Sequence, residues 1–213
     1  MTQIKICGIT NLADARYASG AGADFLGFVQ YSGSPRYIAS ESAKDIIAWL
    51  YGARPVGVFV NETASVVNDI CDRVGFEFVQ LHGDEAASYC EDIDWPIIKV
   101  IRVGEDMNRD SLRSIMSEFE EVSEYFLLDT KTDAEYGGSG KSFDWSILED
   151  QSFARPIFLA GGLNPENVAH AVDRVSPFSV DVSSGLEESP GQKDFGKIDA
   201  FIHAVRGDRG VEV

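Results

Sequence analysis

The sequence predicts a closed (β/α)8 barrel, the TIM-barrel architecture, on three observations. Strand-like and helix-like segments alternate from one end to the other. Most of the eight strand-like segments are near-continuous apolar runs, as parallel strands buried on both faces require. No Pro/Gly/Ser-rich linker or low-complexity tract divides the chain, so its 213 residues fit one compact domain over 1–213. Eight units of about 27 residues give a small version of the fold. The runner-up is an open doubly wound sheet, which would carry a first-turn Gly-x-Gly-x-x-Gly that is absent here.

In chain order the strands are expected at Gln3–Cys7, Asp24–Gln30, Pro55–Val60, Glu77–Leu81, Ile97–Val103, Tyr125–Asp129, Pro156–Ala160 and Phe178–Ser183. The helices between them carry start signals. Asn11 with Asp14 forms a cap before Leu12, Ala15 and Ala18. Ser40 precedes a stripe of Ala43, Ile46, Ile47 and Leu50. Asn61 precedes Val67, Ile70 and Val74, and Asp84-Glu85 opens a short helix with an acidic first turn. Leu112, Ile115, Met116 and Phe119 make the next stripe, and a short helix is expected around Trp145–Leu148. Asn164-Pro165-Glu166 reads as an N-cap, a first-turn proline and an acid. Phe195, Ile198, Ile202 and Val205 face inward on the last helix, which Gly207 ends. Residues 206–213 are expected to fray, and the Arg206-Gly207-Asp208 tripeptide within them carries no adhesion reading.

Composition excludes several function classes. There is no run of 18 apolar residues, so no membrane span is expected. The chain opens directly into a strand with no leader pattern, and its three cysteines, Cys7, Cys71 and Cys90, lack metal-type spacing. Reduced thiols in the cytoplasm follow, with no metal and no cofactor. The net charge of −17 argues against nucleic-acid binding. It reads as an acidic soluble surface or, more sharply, as adaptation to high salt. Either way, an anionic substrate needs positive potential concentrated in the site. Monomer and homodimer are both open.

In a barrel, the chemistry sits where the strands end. Strand one brings Cys7 there, followed by the turn at Gly8. The second loop brings Ser34-Pro35-Arg36-Tyr37, strand four brings Gln80 and His82, and strand six brings Asp129 followed by Gly137–Lys141. Gly161-Gly162 ahead of a helix start, beside Ser183-Ser184-Gly185, predicts a phosphate site of bare amides and hydroxyls. Gly137–Gly140 fits a lid or a plain flexible loop. Cys7 and Asp129 suit general base and general acid. Residues alone therefore point to metal-free proton shuttling on a phosphorylated small molecule, by an isomerase, an epimerase or a related lyase.

Other residues weigh less. Lys5 shares a face with Cys7 and is expected to turn inward and pair with Asp181, since an unpaired buried charge is costly. Lys99 is a second inward candidate without an assigned partner. Arg36 either clamps a carboxylate or is solvated. His82 either binds substrate or is a structural hydrogen-bonder. His170 and His203 lie on helices, Cys71 and Cys90 pack helix faces, and Phe28 and Tyr37 either line an aromatic pocket or, for Phe28, fill the core.

The ordered blocks Lys5–Thr10 (KICGIT), Ser34–Tyr37 (SPRY), Val79–Gly83 (VQLHG), Leu128–Thr130 (LDT), Gly137–Lys141 (GGSGK), Ala160–Asn164 (AGGLN) and Asp181–Gly185 (DVSSG) closely resemble the phosphoribosylanthranilate isomerases of tryptophan biosynthesis. The resemblance covers most of the chain, with Ser139 where that family often has threonine. It implies an Amadori rearrangement of N-(5-phosphoribosyl)anthranilate to 1-(o-carboxyphenylamino)-1-deoxyribulose 5-phosphate. By that resemblance Asp129 protonates the ribose ring oxygen, and Cys7 takes the C2′ proton. Arg36 holds the anthranilate carboxylate, with Gln80 and His82 in the same binding site. Gly161, Gly162, Ser184 and Gly185 hold the phosphate. Lys131–Tyr136 takes no role. Two sister barrels, indole-glycerol-phosphate synthase and the histidine-pathway aminoaldose isomerase, are alternatives against which Cys7 speaks. A non-catalytic phosphate-binding barrel is the third.

Overall fold

A computed structural model describes residues 1–130, 142–149 and 151–207. Eight parallel strands close in sequence order: β1 (Gln3–Cys7), β2 (Phe25–Val29), β3 (Arg54–Phe59), β4 (Phe78–Leu81), β5 (Ile97–Val103), β6 (Tyr125–Thr130), β7 (Ile157–Leu159) and β8 (Ser179–Val182). β8 pairs back onto β1, with Lys5 beside Asp181. The helices are α1 (Leu12–Ala21), α2 (Ser40–Ile47), α3 (Ala64–Val74), α4 (Ala87–Cys90), α5 (Arg109–Ser117), α6 (Val168–Val175) and α7 (Phe195–Arg206). Among the described residues, the β6–β7 connection holds only a 3-10 turn, Trp145–Leu148. The expected Gly137–Lys141 and Lys131–Tyr136 segments lie outside the described residues.

Alternation along each strand sorts the core into two layers. Phe25, Val56, Ile98, Val100, Leu127, Phe158 and Ala160 fill the barrel interior. Ile4, Ile6, Leu26, Phe28, Val79, Ile101, Leu128 and Leu159 face the helices. Arg54 plugs the floor, stacking over Phe25 at 3.9 Å and bonding Gln3 at 2.8 Å.

Several local expectations change. Asn11 caps α1 as expected, its Oδ1 accepting from Asp14 N at 2.9 Å. Ser40 is the first residue of α2 and not its cap; its hydroxyl bonds Gln30 at 2.8 Å instead. Asn61 stands before the α3 cap, at φ 50°, and accepts from Asp84 N. Asp84 and Glu85 precede α4 and spend their charges on Arg102 and Lys99. Asn164 caps a turn rather than α6, accepting from Glu166 N and Asn167 N. Phe195 is exposed and stacks on Tyr17 at 3.9 Å, while Phe201, overlooked in the sequence, is fully buried. Arg206, expected in a frayed tail, closes α7 and bonds Gly22 O and Asp24. A two-stranded antiparallel ribbon, β9 (Glu187–Ser189) and β10 (Gln192–Lys193), stands between β8 and α7; alternation of strands and helices gave no hint of it.

Candidate active site

β1 points Lys5 and Cys7 into the barrel because Ile4 and Ile6 are needed outside. Lys5 is fully buried and meets Asp181 at 2.7 Å, as expected. Burial works against the Lys5 charge, but Asp181 and Cys7 together more than offset it, and the ammonium stays above its usual range. Above it, the Cys7 thiol sits beside Gly27 of β2. A Cβ on Gly27 would fall 2.7 Å from Sγ, so this glycine makes the thiol's room. Burial pushes the thiol above its usual value; Lys5 pulls it back only in part, and Asp181 adds to the rise. Lys5 therefore favours the thiolate but loses to desolvation.

Asp129 enters from β6, its register partner on β5 being Arg102. Burial first, then the neighbouring Asp181, lifts its carboxyl to about 6. Gln80 and His82 come from β4. Gln80 Nε2 lies 3.2 Å from His82 Nδ1. If the amide donates there, the imidazole proton falls on Nε2, which faces Asp129 Oδ2 at 3.6 Å. Burial and three nearby cations push His82 down to about 3, so this contact is polar rather than ionic.

Cys7, Arg36, Gln80, His82, Asp129, Asp181 and Ser183 line one cleft, with Tyr31, Val29 and Val58 as its apolar wall. The sequence-predicted acid, base and substrate-binding residues are thus together. Three buried polar atoms there lack a protein partner: Gln80 Oε1, His82 Nε2 and Ser183 Oγ. Orphaned polar atoms converging on one cleft mark a place where water or a ligand is bonded.

A second hollow shares Asp129, Asp181 and Ser183 and continues onto Gly161, Gly162, Leu163 and Ser184. Gly161 and Gly162 both take positive φ, 86° and 64°. Among the described residues no lysine or arginine lines this hollow and the carboxyls of Asp129 and Asp181 do, so the groups able to hold an anion there are its backbone amides and the Ser183 and Ser184 hydroxyls. Two details differ from expectation. A turn separates the glycine pair from α6, so the long helix dipole does not start there. Gly185 is not on the lining; a Cβ there would fall on the Leu163 carbonyl, so its glycine permits that approach.

Lys99 points outward, not inward. It pairs with buried Glu85 at 2.7 Å, against the Phe119 ring. The inward cation on β5 is Arg102, three residues on, which sequence parity with Ile98 and Val100 would have found. Phe28 belongs to the outer core, and Tyr37 is 44% exposed. Neither lines the cleft; Tyr31 does. Glu187 and Lys193, on the unforeseen ribbon, were also missed. His170 lies by Trp145 on α6, and Cys71 and Cys90 are buried packing residues. Among the described residues no group of His, Cys, Asp and Glu side chains gathers as a metal set.

A barrel that brings a thiol from its first strand and a carboxyl from its sixth to one cleft, beside a hollow edged by Gly161 and Gly162, has the parts that an acid–base isomerase of small molecules needs. Residues 4–204 match the family model described as N-(5′-phosphoribosyl)anthranilate isomerase. The enzyme of that name from Thermotoga maritima is 48% identical over 97% of this chain and all of its own length. That from Geobacter sulfurreducens is 42% identical over the same shares. The crystal structure of the Thermotoga maritima isomerase aligns at TM-score 0.87 and 44% identity, covering 97% of this chain and 99% of that one. Another isomerase structure, in complex with reduced 1-(o-carboxyphenylamino)-1-deoxyribulose 5-phosphate, aligns at 0.83 and 40% identity, covering 97% and 99%. The chain belongs to the N-(5′-phosphoribosyl)anthranilate isomerase family.

Proposed function

We propose that Cys7 and Asp129 carry out the family's reaction in this chain: the Amadori rearrangement of N-(5′-phosphoribosyl)anthranilate within tryptophan biosynthesis. Asp129, protonated, gives its proton to the ribose ring oxygen and opens the ring to a Schiff base. Cys7, as thiolate, takes the C2′ proton. The resulting enolamine tautomerises to the ketone, which is the 1-(o-carboxyphenylamino)-1-deoxyribulose 5-phosphate. The observation that carries this reading is the single cleft in which Cys7 and Asp129 meet three unsatisfied polar atoms.

The electrostatics set the order of events. With the thiol above and the carboxyl below its partner, the resting pair at neutral pH is thiol plus carboxylate. The competent pair is the reverse. A phosphate dianion in the hollow that Asp129 itself lines favours the protonated carboxyl, so substrate binding helps supply the acid's proton, while the thiolate forms against the same field with Lys5 and Lys193 beside it. Arg36 holds the anthranilate carboxylate, Gln80 and His82 bond the sugar or its nitrogen, and Gly161, Gly162 and Ser184 hold the phosphate. Gly185 supports that turn from behind. Every one of these residues comes from one chain, so a monomer or a homodimer serves equally. The three free thiols suit a cytoplasmic, reducing setting.

The test is loss of anthranilate-type fluorescence from freshly made phosphoribosylanthranilate, read against a no-enzyme control. Rapid decay to the ribulose product is expected. Decay at the control rate would overturn the assignment and direct the assay to the sister-barrel substrates.

A further inference from the structure

Arg36 does not stand alone at the cleft. Glu187, on β9, accepts from its Nε at 2.8 Å and its Nη2 at 2.6 Å. Lys193, on β10, donates to Glu187 Oε1 at 2.9 Å, to the Cys7 carbonyl at 2.6 Å and to the Ser183 carbonyl at 3.3 Å. Lys193 and Glu187 are buried, whereas Arg36 reaches the cleft. The Arg36 stem lies over Gly8, where a Cβ would fall 2.6 Å from Cδ.

A guanidinium has two edges able to grip a carboxylate with parallel bonds. Glu187 occupies the Nε/Nη2 edge, and the Nη1/Nη2 end keeps the Nη1 hydrogens and the second Nη2 hydrogen for another acceptor. Charge decides what the end can do. An Arg36–Glu187 pair alone is neutral and would offer a second carboxylate little attraction. Lys193, locked beneath Glu187, returns the trio to a net +1, within a chain of net charge −17. The bond from Lys193 to the Cys7 carbonyl ties the trio to the strand end that carries the thiol.

We propose that Glu187 and Lys193 are positioning residues that build, with Arg36, a singly positive receptor for the carboxylate of an arylamine substrate. Glu187 fixes the plane of the guanidinium so that its free end faces the cleft. Lys193 cancels the charge of Glu187. This inference rests on the substrate reading above, and it adds the ribbon β9–β10 to the site.

The experiment measures binding by calorimetry of two reduced product analogues, one with the ortho-carboxylate and one without it. Wild type is expected to favour the carboxylated ligand. Lys193→Met, which leaves the trio with no net charge, should weaken that ligand by about tenfold, the scale of one charge-assisted bond, and Lys193→Met with Glu187→Gln, which restores a net +1, should recover part of the loss; both should leave the other ligand nearly unchanged. In turnover the same variants should raise KM more than they lower kcat. Equal weakening of both ligands would show a merely structural role and overturn the proposal, as would full discrimination retained in both variants. A wild type that binds neither ligand would overturn the substrate reading instead. Glu187→Gln keeps size and shape, and a thermal melt of each variant confirms its fold, so the double variant decides where Lys193→Met alone does not fold.

Discussion

Cys7 enters the cleft as a thiol whose environment resists ionisation, and Asp129 as a carboxyl whose environment resists it too. Both effects begin with burial, which removes water from the charged form. Two outcomes follow at this scale. Alkylation of Cys7 by iodoacetamide, followed by peptide mass spectrometry, should accelerate steadily from pH 7 through pH 9; a plateau reached below pH 7 would mean a low-pKa thiolate and contradict the electrostatics. Asp129 gives a stability prediction of definite sign. Its folded-state carboxyl titrates at about 6, against 3.8 for the ordinary group. Between those values the folded state holds the proton and the unfolded state releases it, so stability falls as pH rises through the window. The shift corresponds to roughly 3 kcal/mol as an upper bound. Asp129→Asn should therefore unfold at higher urea than wild type at pH 7, with the difference closing by about pH 4. A less stable variant at pH 7 would contradict the burial argument. The Asp129 carboxyl is thus held in the cleft at a cost to the fold.

At the scale of elements, the strand order places the chemistry. β1 and β8 meet at the barrel closure through Lys5 and Asp181, whose register alignment was legible from parity once the barrel was assumed. Lys5→Met strands a buried carboxylate and should cost about 3–5 kcal/mol in urea unfolding, with Asp181→Leu restoring part of it. An unchanged stability would show that the pair is solvated. Gly27 on β2 was not singled out in the sequence, although its alignment opposite Cys7 is what leaves space for Sγ. Gly27→Ala should displace the thiol and lower kcat by about a hundredfold while the protein still folds. The strands and the meeting of Cys7 and Asp129 at one cleft were legible because apolar runs and inward parity are local properties. Lys99 was misplaced for a related reason: an outward lysine finds its partner, Glu85, on a loop that no local pattern connects to it. Glu187 and Lys193 were invisible because a two-stranded ribbon of five residues has neither period nor length to announce itself.

The whole molecule carries 35 acidic against 18 basic residues, and its substrate is also anionic. The local positive charge of Arg36 and Lys193 acts at short range, while the overall field repels. Raising ionic strength from about 0.01 M to 0.15 M shrinks the screening length from about 30 Å to about 8 Å. It should therefore raise kcat/KM wherever encounter limits the rate; a fall with salt would show that attraction by the site dominates at distance. The central claim concerns what the barrel brings together, a thiol base and a carboxyl acid on one cleft. Its most direct test is Cys7→Ala, with turnover of phosphoribosylanthranilate and binding of the reduced product analogue measured side by side. The account predicts a kcat lower by about 10²–10⁴-fold with nearly unchanged binding, the range for loss of one general base. A variant that keeps near-normal kcat would contradict it.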